Sequence, residues 1–289
     1  MSLRAQIKQF RRFLHDHPQL FVLTGAGIST GSGIPDYRDE NGEWKRPAPV
    51  QFREFVERHQ VRQRYWARSL VGWSWFDSAQ PNICHAALAG WESAGRLSQL
   101  VTQNVDRLHQ AAGSQQVIDL HGRLDRVVCL DCRARLERSA FQQQLGALNP
   151  AFLALTAEIA PDGDADLQRP DFDAFQVPAC PECGGILKPD VVFFGETIPR
   201  ERVEAAIGAL RQADALLVIG SSLMVYSGFR FCRMASERGI PIAAITPGFT
   251  RADTLLTLKL SSRFEDVIAL LGDRTGSYAP PGTHPGSGR

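Results

Sequence analysis

Four of the six cysteines fall into two Cys-X-X-Cys pairs, Cys129 with Cys132 and Cys180 with Cys183, separated by residues 133–179. Two such knuckles can present four thiolates tetrahedrally to Zn²⁺ at about 2.3 Å. Pro181 and the Gly184-Gly185 step suit the tight turn that brings two sulfurs onto one ion. Two disulfides or a redox motif are the alternatives, and a chain without a secretory signal pattern keeps its thiols reduced. A closed four-sulfur shell leaves no position for water, so this zinc is expected to hold structure and not to catalyse. Cys84 and Cys232 stand in apolar helical contexts and read as packing residues.

The second chemical signal is GAGISTGSGIPDYRD, residues 25–39, directly after the apolar run Leu20 to Thr24. Gly25, Ala26 and Gly27 would let the backbone approach a pyrophosphate, with the helix start that follows favouring its charge. A nucleotide is the natural ligand of such a loop, and a plain turn is the alternative. The hydride-transfer fingerprint G-x-G-x-x-G fails, because Thr30 stands where the third glycine belongs. The turn Gly33-Ile34-Pro35 then delivers Asp36, Tyr37, Arg38 and Asp39, putting a permanent cation where it could pair with phosphate and a ring that could cover a ribose or nicotinamide.

TQNVDRLH, residues 102–109, closes another apolar run. Open parallel sheets bind ligands at such strand ends; the alternative is that Gln103 and Asn104 merely cap the next helix. His121 follows the apolar stretch Val117 to Leu120. A lone histidine there is more often a satisfied core residue, although an ordinary pKa near 6.5 suits a general base. His85, in NICHAALAGW, reads as structural.

These residues need a scaffold. Runs rich in Val, Leu and Ile recur at 20–24, 97–102, 191–194, 215–220 and 240–246, most of them followed by helical spacing. The pattern predicts an α/β fold, a Rossmann-like parallel sheet with helices on both faces. Two segments break the rhythm, a helical insertion at 42–75 and the cysteine-bearing insertion at 124–189, expected to form a smaller zinc-binding lobe. Residues 1–41, 76–123 and 190–276 would then form the large domain, and the Pro- and Gly-rich tail 277–289 is expected to be disordered. Arg4, Lys8, Arg11 and Arg12 give the N-terminus some likeness to a transit peptide, but Leu3, Ile7, Phe10 and Leu14 at helical spacing favour a folded first helix.

The chain of 289 residues is 44% hydrophobic and 22% charged, which excludes a disordered, collagenous or coiled-coil protein. A formal charge of +1 gives no field to hold a phosphate backbone, so no nucleic-acid partner is expected. No apolar run reaches the 18 or so residues of a membrane span, and no membrane partner is expected. The cytoplasm is the expected compartment, with mitochondria the alternative.

Taken together, GAGIST with GIPDYRD, TQNVDRLH, DLHG at 119–122, the two Cys-X-X-Cys pairs, KPDVVFFGE at 188–196 and GSSLMVYSG at 220–228 resemble the sirtuins, NAD-dependent protein-lysine deacylases. The likeness runs over residues 5–272. YWAR at 65–68, VGW at 71–73, APDGD at 160–164 and FQVPAC at 175–180 look most like class II, the branch that includes a mitochondrial sirtuin associated with ADP-ribosyl transfer and lipoamide removal.

The resemblance implies NAD⁺ as co-substrate, one structural Zn²⁺ and acylated-lysine proteins or peptides as partners. It implies that His121 is the catalytic base, with Asn104 beside it. It gives Gln103 and Asn104 to the nicotinamide ribose, Asp106 and the backbone near Ile34 to the carboxamide, and Ser29 and Arg38 to ribose and phosphates. Gly25, Ala26, Gly27, Asp36, Tyr37, Val105, Gly220, Ser221, Ser222, Thr246, Gly248 and Phe264 complete the implied NAD site. Ser221 replaces the family's threonine, Thr246 an asparagine and Phe264 a late cysteine. Val192, Phe193, Phe194 and Gly195 on one side, with Val225 and Tyr226 on the other, would pin the substrate backbone by strand addition and line the acyl-lysine tunnel. Tyr65 and Arg68 have the Tyr-X-X-Arg spacing that class III members use for acidic acyl groups. The activity implied is deacylation giving nicotinamide, O-acyl-ADP-ribose and free lysine, with mono-ADP-ribosyl transfer or non-catalytic NAD sensing as alternatives.

Overall fold

The computed structural model describes residues 3–45, 49–155, 167 and 171–272; the APDGD stretch and the tail from Ser277 lie outside the described residues. In chain order the elements of the first half are α1 (Leu3–Asp16), β1 (Leu20–Thr24), α2 (Phe52–Glu57), α3 (His59–Ser78), α4 (Ile83–Ser93), β2 (Leu97–Thr102), α5 (Leu108–Ala111), β3 (Val117–Asp119) and β4 (Gly122–Cys129). There follow β5 (Arg135–Glu137), α6 (Arg138–Leu148), α7 (Pro150–Leu153), β6 (Leu187–Val191), α8 (Arg200–Leu210), β7 (Ala215–Ile219), α9 (Tyr226–Glu237), β8 (Ile242–Ile245), β9 (Leu258–Leu260) and α10 (Phe264–Leu271).

Six strands form a sheet in the order β3-β2-β1-β7-β8-β9, every neighbouring pair parallel. The chain leaves β1 toward β2 and β3, then returns to the other side of β1 with β7. That reversal opens a crevice beyond the C-terminal ends of β1 and β7, where such sheets take ligands. Both faces are covered. Leu20 and Val22 point with Leu217 into a core shared with Phe10, Leu88, Trp91, Phe264 and Val267, while Phe21 and Leu23 point with Val218 toward Ala206 and Phe231. The unbroken burial of β1 and β7 follows from this two-sided cover. Ile7, Phe10, Phe13 and Leu14 of α1 are buried, consistent with its helical spacing.

The run 191–194 does not add a strand to this sheet. Leu187–Val191 is β6, which pairs antiparallel with β4 in a separate three-stranded sheet, β5-β4-β6. An apolar run reports burial and not the identity of its partner. Two three-residue edge strands, β3 and β9, instead extend the parallel sheet. The small sheet packs with α2, α3, α6 and α7 around a second core containing Phe55, Trp66, Phe141 and Phe175. Within it the buried Arg138 of α6 donates to the Ser69 carbonyl and hydroxyl of α3 and lies over the Trp73 ring at 4.6 Å. A buried guanidinium is tolerated there because both terminal nitrogens are hydrogen-bonded, one to Gln142 and the other to Ser69, and its face is stacked.

Candidate active site

The crevice holds a cavity of about 700 Å³. Its wall takes in every residue that the sequence assigned to NAD, from Gly25 to Phe264, together with His121, Tyr65, Val192, Phe193, Phe194, Gly195, Val225 and Tyr226. Arg68 is not among the lining residues; at that end Tyr65 packs with Phe55 at 5.4 Å and Phe193 at 5.3 Å between ring centroids. The ends of β1, β2, β3, β6, β7 and β8 therefore supply the site, and several of their loops are cross-tied by hydrogen bonds.

The glycine loop is fixed by the β7 end. A side chain on Gly25 would meet Ser221 at 2.8 Å, and one on Gly27 would meet Gly220 at 2.9 Å. Close packing of two protein loops thus already demands glycine at both positions. The N-terminal cap of α4 secures the loop's far end, with Asn82 donating from Nδ2 to the Ile28 carbonyl and to Ser32 Oγ.

Ser29 is the hub of the cavity wall between the ends of β1 and β2. Its Oγ accepts from Asn104 Nδ2 at 3.0 Å and donates to Asp106 Oδ2 at 2.7 Å. His85 accepts the Asn82 amide at Nδ1, which leaves Nε2–H to face Ser29 Oγ at 3.5 Å. Desolvation raises the Asp106 pKa, opposed by the Leu108 amide and by Ser29 and Asn104. Burial alone pulls His85 down to about 4. Gln103 donates from Nε2 to Ser221 Oγ at 2.9 Å, joining the ends of β2 and β7.

His121 sits where β3 gives way to β4. Gly122 must be glycine, because its φ is +87° and a side chain would strike the Asp190 carbonyl. The imidazole Nδ1–H donates to the Gln103 carbonyl at 2.9 Å, which leaves the lone pair on Nε2. Ser227 Oγ donates to that nitrogen at 2.8 Å. Burial foremost, with the nearby Arg230 and Arg202 cations adding, brings His121 down to about 4. The ring is neutral at pH 7 and so holds a base's lone pair.

Arg38 lines the cavity, but its guanidinium donates to the Gly42 carbonyl at 2.7 Å and lies 3.8 Å over the Trp44 ring. Asp36 is paired with Lys45 at 2.5 Å. Thr246 is buried, and Phe264 packs edge-on against Trp91 at 6.0 Å. Along the other rim the Phe194 carbonyl accepts the Phe52 amide, while Glu196 accepts from the Phe193 amide at 2.8 Å and from the buried Lys188 at 3.1 Å. Phe193 is thereby held as the floor of an aromatic slot with Tyr65 and Phe55.

Sequence spacing did not single out Ser227, Arg230 or Trp44, all of which line the cavity. Ser227 meets His121 across 106 residues of chain, and no local pattern carries that contact. For Trp44 a signal existed, an aromatic residue six positions beyond the loop cation.

In the small lobe the sulfurs of Cys129, Cys132, Cys180 and Cys183 all lie within 4.8 Å of one another. Cys129 and Cys183 are 3.5 Å apart and Cys132 and Cys180 3.7 Å. Four sulfurs about 2.3 Å from one centre would be roughly 3.8 Å apart, so the tetrad fits a tetrahedral zinc.

Residues 25–227 match the Sir2 family. The chain is 61% identical to NAD-dependent protein deacetylase 2 of Bradyrhizobium diazoefficiens, over 90% of this chain and 95% of that relative. It is 49% identical to the mitochondrial NAD-dependent protein lipoamidase sirtuin-4 of Bos taurus, over 93% of this chain and 86% of that one. Among solved structures, a Sir2–p53 peptide–NAD⁺ complex superposes with a TM-score of 0.71 at 28% identity, over 92% of this chain and 97% of that one. Sir2Tm bound to a propionylated peptide gives 0.71 at 29%, over 92% and 98%.

Proposed function

The chain belongs to the Sir2 family, and from that premise we propose that it is an NAD-dependent protein-lysine deacylase. The observation that carries the reading is the state and place of His121: a neutral imidazole, anchored through Nδ1, with Nε2 in the cavity that also holds Asn104, Asp106 and the glycine loop. Bound NAD⁺ supplies an anomeric carbon from which the acyl-lysine carbonyl oxygen can displace nicotinamide.

The chain's own residues do the rest. Asp106 and the Ile34 backbone hold the carboxamide, Gln103 and Asn104 orient the ribose, and the glycine loop from Gly25 to Gly27 lies against the phosphates. His121 Nε2 takes the proton of a ribose hydroxyl, for which Ser227 must yield its hydrogen bond. Residues 192–195 and 223–226 flank the substrate backbone, and Phe193 with Tyr65 closes the acyl slot. Because Arg68 does not line the cavity, acetyl and longer uncharged acyl groups suit that slot better than carboxylated ones. A zinc held by the four cysteines keeps the small lobe folded. No described helix is long and apolar enough to cross a membrane; the cytoplasm is the proposed compartment, with mitochondria the alternative suggested by the bovine relative's name.

The test is mass spectrometry after incubation with NAD⁺ and acetyl-, lipoyl-, succinyl- and branched-acyl-lysine peptides, beside His121→Ala. Free lysine peptide with O-acyl-ADP-ribose, absent from the variant, is expected. NAD⁺ binding without product on any peptide would overturn the reading and move the weight to ADP-ribosyl transfer or NAD sensing.

A further inference from the structure

One cation in the cleft has no carboxylate partner among the described residues. Arg230 lines the cavity on the α9 side, close enough to His121 to depress its basicity. Its Nε is buried without a hydrogen-bond partner, and no carboxylate among the described residues is within ion-pair distance of it. It lies 5.5 Å from the ring of Tyr226, an exposed residue at the cavity mouth. Two further guanidiniums meet the same ring, Arg233 at 5.5 Å and Arg251 at 6.0 Å; Arg251 also lies 4.5 Å over Phe229. Arg233 has an exposed partner in Glu237 at 3.4 Å. Arg251 donates to the Met224 carbonyl, on the segment proposed to flank the substrate.

Three cations converge on one aromatic ring at the mouth of the cleft in a chain whose net charge is only +1. Like charges gathered around one ring repel one another unless an anion joins them, and a half-buried guanidinium with an unmet donor gains most from a carboxylate. We propose that Arg230, with Arg233 and Arg251 around Tyr226, forms a basic rim that reads an acidic side chain of the substrate protein flanking the acyl-lysine on the α9 side. The inference rests on the deacylase reading and names the substrate class for it.

The test uses the full chain and acetyl-lysine peptides carrying Asp or Glu, Ala, or Lys at each of the three positions on either side of the modified lysine. Both kcat/KM and peptide affinity by fluorescence anisotropy are read. Acidic flanks are expected to beat alanine by about five-fold, the size of a partly exposed charge pair, mostly through KM. That ratio should fall toward one in Arg230→Gln and in Arg251→Gln, survive in Arg230→Lys, and shrink for the unaltered protein between about 50 mM and about 500 mM salt. Equal use of acidic and neutral flanks, or an acidic preference that survives all the glutamine variants, overturns the proposal. A succinyl-over-acetyl preference lost in Arg230→Gln, without any flank effect, would assign the carboxylate to the acyl group and also overturns it. An acidic preference in binding without turnover of any peptide leaves the rim standing and removes the deacylase reading; loss of both removes both.

Discussion

Lowering the pH should unfold this protein through its buried imidazoles before its carboxylates titrate. His85 is fully buried and has its pKa pulled down to about 4, against an ordinary value of 6.5. Above pH 6.5 both folded and unfolded chains hold the ring neutral, and the stability is fully present. As the pH falls below 6.5 the unfolded chain takes up a proton that the folded one refuses, so stability drops until the folded pKa is reached. Between pH 7.5 and pH 5 this amounts to about 2 kcal/mol for His85. His109, driven well below its ordinary value by burial and by His85, adds loss of the same sign. His121, half-buried at the cavity wall and also near 4, adds up to a similar amount after allowance for solvent screening. Asp106 and Asp119, raised by burial, act in the opposite sense. For a domain with about 5–15 kcal/mol in total, the histidine loss is a large fraction. Urea unfolding at fixed ionic strength from pH 7.5 to pH 5 should show about two to three protons taken up on unfolding near pH 5.5. His121→Asn should reduce that number by nearly one, and His85→Gln likewise. A slope of less than one proton across this window, or one unchanged in both variants, would refute the claim that the rings are held neutral by burial.

Ser227→Ala removes the hydroxyl that donates to His121 Nε2 at 2.8 Å while leaving the Gln103 anchor in place; because that bond no longer has to be given up before Nε2 takes a proton, kcat should rise, by at most about five-fold, the value of one hydrogen bond, with the KM for NAD⁺ held within about two-fold. Steady-state kinetics read both, and a fall in kcat would show instead that the hydroxyl positions the ring. For the tetrad, elemental analysis should find one zinc per chain, and a strong chelator should abolish activity together with near-UV ellipticity from the aromatic-rich small lobe; Cys180→Ser should do the same. Full activity in a metal-free protein would refute the structural zinc.

What could be read from the sequence divides along a physical line. Residues whose chemistry is local announced themselves: the Cys-X-X-Cys pairs through the turn each makes, and GAGIST and TQNVD through their place at strand ends. Contacts made by the fold alone stayed silent, among them the Ser227 hydroxyl on His121 and the Arg230 guanidinium beside it. The run 191–194 misled because burial and strand partnership are different properties, and β6 satisfies the first in the small sheet. The spacing of Tyr65 and Arg68 suggested a charge-reading pair, but the rings of Phe55 and Phe193 draw Tyr65 into an apolar slot whose wall Arg68 does not reach. The aromatic slot and the basic rim around Tyr226 are thus different places in the cleft. If the basic rim around Tyr226 reads the protein and the aromatic slot reads the acyl chain, substitutions at the two places should change two different specificities, and a double substitution should show them adding.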